Sequence, residues 1–365
     1  MTGAAPDRPE VAAWDDFVES LRTAGEQMAT DTAGLDPAEQ ADGYRALLRG
    51  VANQLGRFEI DRERPELVPF NGWRQKFLMD NPDFRYWVAD IRADRRYRIR
   101  GNRGDAVFVS VTTYARTQGL DAEATARLDS DVISFDAAGN FEVTLGGTAP
   151  PQGDWLTLSD RTTVLWVRFF HEDVDADRLG ECTIEPLDDP GPTAPPDPGR
   201  FAAQLGRMGA ATQFLPRIFT TSAASDQDPP NEIRHWSEMA GGSVFTEPDI
   251  HYLRGGWQLE DGEALVVEGD LVACRYWNIL AYSRFLNSLD YRSRRVSYTG
   301  RTATVTDGRY RFTLSARPPA SAAGDWIDTE GRSFGIVVMR FLAPTETPAL
   351  PRVRRVRLDE LETDQ

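Results

Sequence analysis

The chain contains two related stretches, Pro82-Asp83-Phe84-Arg85-Tyr86 and Pro248-Asp249-Ile250-His251-Tyr252. Three further pairs follow in the same order: Thr113-Tyr114-Ala115-Arg116 with Ala281-Tyr282-Ser283-Arg284, Phe141-Glu142-Val143-Thr144-Leu145 with Tyr310-Arg311-Phe312-Thr313-Leu314, and Gly153-Asp154-Trp155 with Gly324-Asp325-Trp326. Corresponding positions lie about 166 to 172 residues apart, and so small a drift is typical of a duplicated unit. The sequence therefore predicts two homologous halves, with function where the halves differ or meet.

The composition restricts the class of protein and its partners. A chain of 365 residues with 41% hydrophobic residues is long and apolar enough for two globular domains. The net charge of −16 repels nucleic acids and anionic membranes. No apolar run reaches the length of a membrane span, and the first eight residues lack the order of a signal peptide. We therefore expect a cytoplasmic protein that binds neither nucleic acid nor membrane.

Residues 1–76 are predicted to be a helical N-terminal segment. The first helix has an apolar stripe formed by Val11, Trp14, Phe17, Val18 and Leu21. The second helix begins at Asp36 as N-cap, with Pro37 in the first turn and Glu39 completing a capping box. Its apolar stripe consists of Tyr44, Leu47, Leu48, Val51 and Leu55. Both stripes need a partner, most simply the first β domain.

The remaining chain alternates between β-rich and helical parts. We predict a first β-sandwich domain over 77–185, a Pro-rich linker over 186–199, a helical lead-in over 200–247 and a second β-sandwich domain over 248–365. The predicted strands are Ala106–Tyr114, Val132–Phe135, Phe141–Leu145, Trp155–Leu158, Thr163–Phe170, Ala264–Gly269, Ala273–Tyr282, Tyr291–Tyr298, Thr302–Thr306, Arg309–Arg317 and Phe334–Leu342. Asp307-Gly308 predicts a hairpin. The fold class is mainly β with helical lead-ins: two tandem jelly-roll-like antiparallel β-sandwiches related by internal duplication.

Several C-terminal motifs carry a family resemblance. They are Ala264-Leu265-Val266-Val267-Glu268, Cys274-Arg275-Tyr276-Trp277-Asn278, Leu289-Asp290-Tyr291-Arg292-Ser293-Arg294-Arg295-Val296-Ser297 and Asp325-Trp326-Ile327-Asp328-Thr329-Glu330-Gly331-Arg332. This sequence resembles bacterial proteins that end in the domain of unknown function numbered 1214, with an N-terminal partner domain of the related 1254 type. Asp80-Asn81-Pro82-Asp83 and Tyr97-Arg98-Ile99-Arg100-Gly101 resemble the actinobacterial members. The resemblance covers roughly residues 40–360 and implies paired jelly-roll-like domains, but no catalytic residues.

The segment 274–298 is the densest in aromatic and arginine residues and is the first candidate site. On a strand, Tyr276, Asn278 and Tyr282 share one face, on which they could line a cleft, and Trp277 lies on the other face. Arg292 or Arg295 could anchor an anionic group there. The alternative is structural: the aromatic residues fill a core and the arginines pair with the abundant carboxylates.

Carboxylates and a histidine are candidates for acid–base chemistry. Asp290, next to Tyr291, and Asp328, with Asp325 and Glu330 near it, are the carboxylates, and two of them could act as acid and base if one were desolvated beside Trp326. Equally, Asp328 fits an ordinary turn, and the repeated Gly-Asp-Trp favours a core role for Trp326. His251 replaces Arg85 of the first repeat and could be a general base, or it could make one structural hydrogen bond.

The sequence offers no motif for a cofactor. The three histidines form no metal-binding spacing, and no Walker loop, dinucleotide fingerprint or zinc-protease motif occurs. Ser333 matches G-x-S-x-G but precedes a strand rather than a helix, which excludes a nucleophile elbow. Nothing in the sequence around Lys76, the one lysine, indicates Schiff-base chemistry. We therefore expect neither metal nor cofactor.

These observations lead to a functional hypothesis and two alternatives. We expect a homo-oligomeric, cofactor-independent enzyme that acts by acid/base chemistry on a small, largely apolar organic molecule such as a lipid, terpenoid or aromatic compound. Tyr276 is included among its catalytic groups, and the reaction type could be that of a lyase, isomerase, cyclase or hydrolase. The first alternative is a non-catalytic carbohydrate- or lipid-binding β-sandwich protein. The second is a repeat that serves assembly alone.

Overall fold

The computed structural model describes residues 8–58, 61–116, 122–238, 247–320 and 324–362. Within these ranges it has three helices: α1 Pro9–Thr32, α2 Pro37–Leu55 and α3 Pro198–Gln227. The strands of the first half are β1 Val68–Pro69, β2 Phe84–Asp90, β3 Tyr97–Asn102, β4 Phe108–Arg116, β5 Ala122–Asp129, β6 Asn140–Leu145, β7 Asp154–Leu156, β8 Val164–Phe170 and β9 Glu181–Pro186. Those of the second half are β10 Arg234–His235, β11 Ile250–Gln258, β12 Glu263–Asp270, β13 Tyr276–Tyr282, β14 Ser297–Thr299, β15 Val305–Thr306, β16 Arg309–Ser315, β17 Asp325–Asp328, β18 Phe334–Leu342 and β19 Arg352–Arg357.

The two halves have the same topology, which confirms the predicted duplicated β-sandwich. The five-stranded sheet β1-β2-β8-β4-β5 of the first half corresponds, strand for strand, to β10-β11-β18-β13-β14 of the second. The other sheet of the first half, β7-β6-β3-β9, corresponds to β17, β16, β12 and β19 of the second half, where β15 also pairs with β16. In both halves the strand that begins at the Gly-Asp-Trp motif pairs in parallel, β7 with β6 and β17 with β16. Each sandwich therefore encloses a core between two sheets, and we call the sheet that contains β8 or β18 the large sheet of its half.

The large sheets of the two halves also pack against each other. Their central strands, β8 and β18, are buried along their whole length. One face of β8 contributes to the core of its own sandwich through Leu165, Val167 and Phe169. The opposite face joins a cluster that contains Phe170 from the first half and Tyr276 from the second. We call the side chains between the two large sheets the inter-sheet layer.

Most of the apolar stripes predicted on α1 and α2 do not face a core. Trp14 of α1 is 57% exposed and Leu48 of α2 is 68% exposed, whereas Phe17 and Leu47 of the same stripes are buried. Phe17 packs on α3, and beside it α1 contacts α3 through small residues: a Cβ on Gly209 would lie 2.7 Å from Ser20 Oγ. The buried Ala46 and Leu47 of α2 belong to the core cluster of the second half, so the predicted partner, the first β domain, was also wrong. Small residues allow close helix packing but carry little hydrophobic signal.

Several local predictions need correction and others are confirmed. Asp36 caps α2 as predicted, because its Oδ1 accepts hydrogen bonds from the Ala38 and Glu39 amides. The Glu39 carboxylate does not complete the capping box, since it is buried and pairs with Arg284 at 3.0 Å. The Asp307-Gly308 hairpin joins β15 and β16. Two predicted strands, over 132–135 and most of 291–298, are turns and irregular chain in which side chains of the turn residues cap the backbone.

The close contact of α1 with α3 can be tested by matched substitutions on one helix. Gly209→Val should lower the free energy of unfolding by about 2 kcal/mol more than Gly206→Val, because overpacking a close helix contact forces the backbones apart. No atom lies within 4 Å of a Cβ on Gly206, which makes that variant the control for the shared change in helix propensity. Urea denaturation of both variants measures the difference. Equal losses would contradict the packing described above.

Candidate functional site

The inter-sheet layer is a predominantly aromatic surface that contains buried charges. Cross-strand registers place Tyr86, Arg168 and Ser110 in one row of the first large sheet. The corresponding row of the second sheet consists of Tyr252, Arg340 and Asn278. Arg168 is 1% exposed and Arg340 is 3% exposed. Two guanidinium groups are thus removed from water between two sheets, at positions related by the duplication.

Each arginine bonds a tyrosine of its own sheet in the same way. Arg168 Nη2 donates to Tyr114 Oη at 3.0 Å, and Arg340 Nη2 donates to Tyr282 Oη at 2.7 Å. Both guanidinium groups also lie over aromatic rings, Arg168 over Trp166 at 4.7 Å and Arg340 over Tyr252 at 5.6 Å. Cation–π contacts and charge-assisted hydrogen bonds offset part of the cost of burying a charge. The duplicated unit therefore carries a Tyr–Arg pair in each copy.

The two arginines differ in their negative partners. Arg168 Nη1 forms a buried ion pair with Glu247 Oε2 at 2.9 Å, and Glu247 belongs to the other half. Ser110 Oγ donates to the same carboxylate oxygen at 2.7 Å. The position that corresponds to Glu247 in the first repeat is Asn81, which is neutral. Among the described residues, Arg340 has no carboxylate within ion-pair distance, and its Nη1 has no hydrogen-bond partner.

Asp83 is the buried acid beside Arg340. Its Oδ2 accepts a hydrogen bond from Asn278 Nδ2 at 2.9 Å and a longer one from Tyr276 Oη at 3.4 Å. Burial raises the pKa of Asp83 to about 6, although the hydrogen bond from Asn278 and the positive charge of Arg340 oppose the rise. The carboxyl group therefore changes its charge near neutral pH. Burial also raises the pKa of Tyr276 well above its usual range, followed in importance by the charge of Asp83.

The structure brings three of the predicted site residues together in this layer. Tyr276, Asn278 and Tyr282 lie on one face of β13, as the sequence predicted, and all three are fully buried. Trp277 lies on the opposite face, where it packs in the core of the second sandwich against Phe341 at 6.4 Å between ring centroids. Trp277 is therefore separated from the other three by the sheet itself.

A second group of predicted residues meets at a loop near the N-terminal segment. Tyr291 packs edge-to-face on Trp73 at 5.4 Å, and the Arg292 guanidinium lies over the Trp73 ring at 3.7 Å. Beneath them Lys76 is 1% exposed, and its Nζ donates to the carbonyl oxygens of Ser288 and Leu289. Burial lowers the pKa of Lys76 to about 8, and Asp80 opposes this change. The one lysine of the sequence thus has surroundings that its local sequence did not reveal.

Asp290 caps the turn that follows it and does not face a catalytic partner. Its Oδ1 and Oδ2 accept hydrogen bonds from the Arg292 amide and the Ser293 hydroxyl. Partial burial alone would raise the pKa of Asp290, but these two hydrogen bonds and the nearby cations lower it. Such a carboxylate remains ionised over the physiological range. Its observed bonds are those of a turn residue.

The other predicted residues are dispersed. His251 Nε2 and His235 Nδ1 share a hydrogen bond of 2.9 Å, on the face of β11 opposite to Tyr252; burial, then His235, lowers the His251 pKa. Asp328 is bound by Arg294 Nη1 and by the Glu330 amide, both at 2.7 Å. Trp326 donates to Ser315 Oγ at 3.0 Å, while Arg295 is exposed and lies 5.4 Å from the Tyr298 ring. These contacts are structural, and they place none of the four in the inter-sheet layer.

Two features outside the inter-sheet layer complete the description. A groove of about 660 Å³ opens at the edge of the first sandwich, beside Leu67, Trp87 and Cys182. It contains none of the residues predicted from the sequence.

Among the described residues, no three His, Cys, Asp or Glu side chains are grouped to hold a metal ion. No helix in the described ranges is long and apolar enough to cross a membrane.

Comparisons with known proteins agree with the duplication. The family described as "Protein of unknown function (DUF1214)" matches residues 88–173 and again residues 261–346. The family model thus matches each half of the chain once. No curated protein matches it. An uncharacterized protein from Burkholderia cenocepacia is similar in structure, with 28% identity, a TM-score of 0.87 and coverage of 95% of this chain and 97% of that one. The VPA0106 protein from Vibrio parahaemolyticus matches at 12% identity and a TM-score of 0.49, over 93% of this chain and 100% of that one.

The sequence interpretation missed the charged centre of the layer. Asp83 belongs to the repeat and Asn81 to the family resemblance, but neither is among the functional residues predicted from the sequence. Arg168 and Arg340 lie within the predicted strands Thr163–Phe170 and Phe334–Leu342 and are not among them either. A signal was present, because each arginine interrupts an otherwise apolar strand, Val164–Phe170 or Phe334–Leu342. A charged residue within a strand buried on both faces indicates a buried charge that needs a partner.

The raised pKa of Asp83 predicts a cost in stability above neutral pH. Below about pH 4 the carboxyl group is protonated in folded and unfolded chains alike; between pH 4 and 6 the folded protein retains the proton that the unfolded chain loses. Stability therefore falls as pH rises through this window. Asp83→Asn should raise the free energy of unfolding at pH 8 by up to about 3 kcal/mol, and by little near pH 4.

Chemical denaturation at several pH values measures this difference. The control is Asp249→Asn, the corresponding position in the second repeat, where the carboxylate is 61% exposed and pairs with Arg127. That variant should change stability by less than about 1 kcal/mol, without the same pH dependence. A destabilised Asp83→Asn protein at pH 8 would show that ionised Asp83 supports the fold.

Proposed function

We propose that the protein is a cofactor-independent enzyme that performs acid–base chemistry on a small, largely apolar organic molecule held at the inter-sheet layer. Asp83 is its proton acceptor, and Arg340 stabilises the negative charge that develops on the substrate. The observation that carries the proposal is one buried pair of groups. The Asp83 carboxyl, which titrates near neutral pH, lies near the Arg340 guanidinium, which forms no ion pair with any carboxylate in the described part of the chain.

The environment of Asp83 suits proton transfer. A general base is most effective when its pKa is near the working pH, and burial brings Asp83 to about 6. Tyr276 and Asn278 hold the carboxylate oxygen, which fixes the direction from which a proton is taken. Compared with the hypothesis drawn from the sequence, Tyr276 and Asn278 keep a place at the site, but Asp83 replaces Asp290, Asp328 and His251 as the acid–base group.

Partly exposed side chains around Asp83 and Arg340 support access of a substrate to these two groups. Tyr86, Tyr252 and Met79 retain accessible surface, although Arg168, Arg340 and Asn278 next to them are fully buried. Met79 also provides the carbonyl oxygen that faces Arg340 Nη2 and Tyr282 Oη, both at 3.4 Å. An apolar substrate body would contact the two phenol rings and the thioether. The reacting group would then lie between Asp83 and Arg340.

The alternative function is non-catalytic binding of a carbohydrate or lipid. Trp73, Tyr291 and Arg292 form a partly exposed platform on which a sugar ring or a lipid could stack. The two functions differ in the fate of the ligand. A binding protein returns the ligand unchanged after incubation, whereas an enzyme of the lyase, isomerase, cyclase or hydrolase type converts it.

The enzymatic proposal predicts a specific loss of turnover. Incubation of the protein with a library of apolar organic compounds, followed by mass spectrometry and chromatography for isomers, identifies a converted compound. Asp83→Asn should then reduce kcat by about a hundredfold or more, since it removes the base without changing the shape of the site. In the wild type, kcat/KM should rise as pH increases through about 6, the pKa of Asp83.

Asp290→Asn is the matched control, because Asp290 caps a surface turn. It should retain kcat within about threefold, which is a change of less than 1 kcal/mol. Turnover by Asp83→Asn at the wild-type rate would contradict our proposal. Loss of turnover in Asp290→Asn alone would assign the chemistry to the loop of Asp290. Recovery of every compound unchanged would favour the binding protein.

Three further statements stand as proposals. A cytoplasmic location and the absence of nucleic-acid and membrane partners rest on composition and charge. A homo-oligomer is supported by exposed apolar side chains on α1 and α2, and light scattering of wild-type protein and of a Leu48→Glu variant would test it. An N-terminal partner domain of the 1254 type rests on the overall family resemblance of the sequence.

A further inference from the structure

The duplication provides an internal reference for the unpaired guanidinium. In one copy, Arg168 pairs with the Glu247 carboxylate, which also binds Arg127 and enters from the segment before β11 of the other half. In the other copy, the equivalent segment precedes β2 and presents Asn81 to the equivalent site. Asn81 and Asn278 are linked by a hydrogen bond of 3.3 Å. Among the residues that the structure describes, Asn278 Oδ1 and Arg340 Nη1 are both buried without hydrogen-bond partners. The second copy thus retains the cation and has a neutral residue at the position of Glu247.

We propose that Arg340 binds the carboxylate of the substrate, in the place that Glu247 occupies at Arg168. The substrate class is therefore an apolar monocarboxylic acid, whose carboxylate contacts Arg340 Nη1 and whose body lies against Tyr86 and Tyr252. This inference rests on the proposed function for its catalytic meaning. Its binding statement can be tested without any turnover.

The charges and contacts of the layer favour a carboxylate over other anions. The protein itself fills the corresponding place in the first copy with a carboxylate, which shows that the shape of the duplicated site accommodates that group. Arg168 is already paired, so Arg340 provides a single positive charge for the ligand, and Asp83 nearby disfavours a dianion such as phosphate. Planar guanidinium and carboxylate groups also match in geometry. The aromatic surroundings favour an apolar body.

Calorimetric titration with paired probes tests the proposal. The probes are benzoate, 4-phenylbutyrate and octanoate, each compared with its neutral amide, and inorganic phosphate as a non-carboxylate anion. At least one carboxylate should bind about tenfold more tightly than its amide, as expected for a charge-assisted hydrogen bond formed in a buried site. Phosphate should bind more weakly than that carboxylate. If no carboxylate exceeds its amide, or if phosphate binds as tightly, the proposal is overturned.

A matched pair of variants identifies the place of binding. Asn81→Glu installs the carboxylate that the first copy already has, and it should raise the melting temperature of the free protein and abolish carboxylate binding. Asn81→Gln has the same length without the charge and should bind the probe within about threefold of the wild type. Carboxylate binding that survives in Asn81→Glu would place the ligand elsewhere. If Asn81→Glu does not fold, Arg340→Lys is used instead. It should lower the affinity for the probe by about tenfold, because an ammonium group cannot form the two parallel hydrogen bonds of a planar guanidinium.

The binding and catalytic proposals can fail separately. Binding of the probe by Asp83→Asn should persist, since that residue is assigned to proton transfer and not to anion recognition. If carboxylates bind at Arg340 but no acid is converted, the enzymatic proposal is contradicted and the proposed ligand class stands. If a neutral compound is converted and does not compete with the bound carboxylate, the enzymatic proposal stands and the proposed ligand class is overturned.

Discussion

The architecture depends on the desolvation of two arginines between two facing sheets. Arg168 and Arg340 occupy the central strands β8 and β18, and both are almost completely removed from water. Moving a guanidinium out of water costs several kcal/mol even in a relaxed protein, and the surrounding residues must offset that cost. Tyr114 and Tyr282 provide one hydrogen bond each, and aromatic rings lie over both cations. The difference between the halves lies in what supplies the negative charge.

This difference gives the duplication a chemical meaning. In the first copy the charge is balanced within the chain, and the Arg168–Glu247 pair joins one half to the other across the layer. In the second copy Asn81 is neutral and the nearby acid is Asp83. Burial raises the pKa of Asp83, the positive charge of Arg340 opposes that rise, and the two groups form no ion pair. One copy of the arrangement therefore works as a structural connection. The other copy has a buried acid, Asp83, and a buried guanidinium, Arg340, that form no ion pair with each other. Buried charges that are not fully paired are common at catalytic and binding sites.

The segment 274–298 has a composition typical of a binding site, but its strand and its loop have different roles in the structure. The segment 274–298 is rich in aromatic residues and arginines, and the sequence indicated it as the site. Its strand, β13, does contribute Tyr276, Asn278 and Tyr282 to the layer. Its loop instead forms turn contacts and a cover over Lys76, whose Nζ connects the N-terminal segment to the carbonyls of Ser288 and Leu289. The strand of the segment therefore contributes to the inter-sheet layer, and its loop stabilises the fold.

The sequence by itself determined the duplication, the sandwich class and local features such as the Asp307-Gly308 hairpin, because repeats, period-two alternation and turn chemistry act over short distances. It also placed Tyr276, Asn278 and Tyr282 on a common face. The tertiary structure alone decided which face of the buried strands meets the other half. When both faces of a strand are covered, alternation cannot distinguish the sandwich core from an interface. The association of Asp83 with Arg340, and of Glu247 with Arg168, follows from that docking, since each pair joins residues that no local pattern relates.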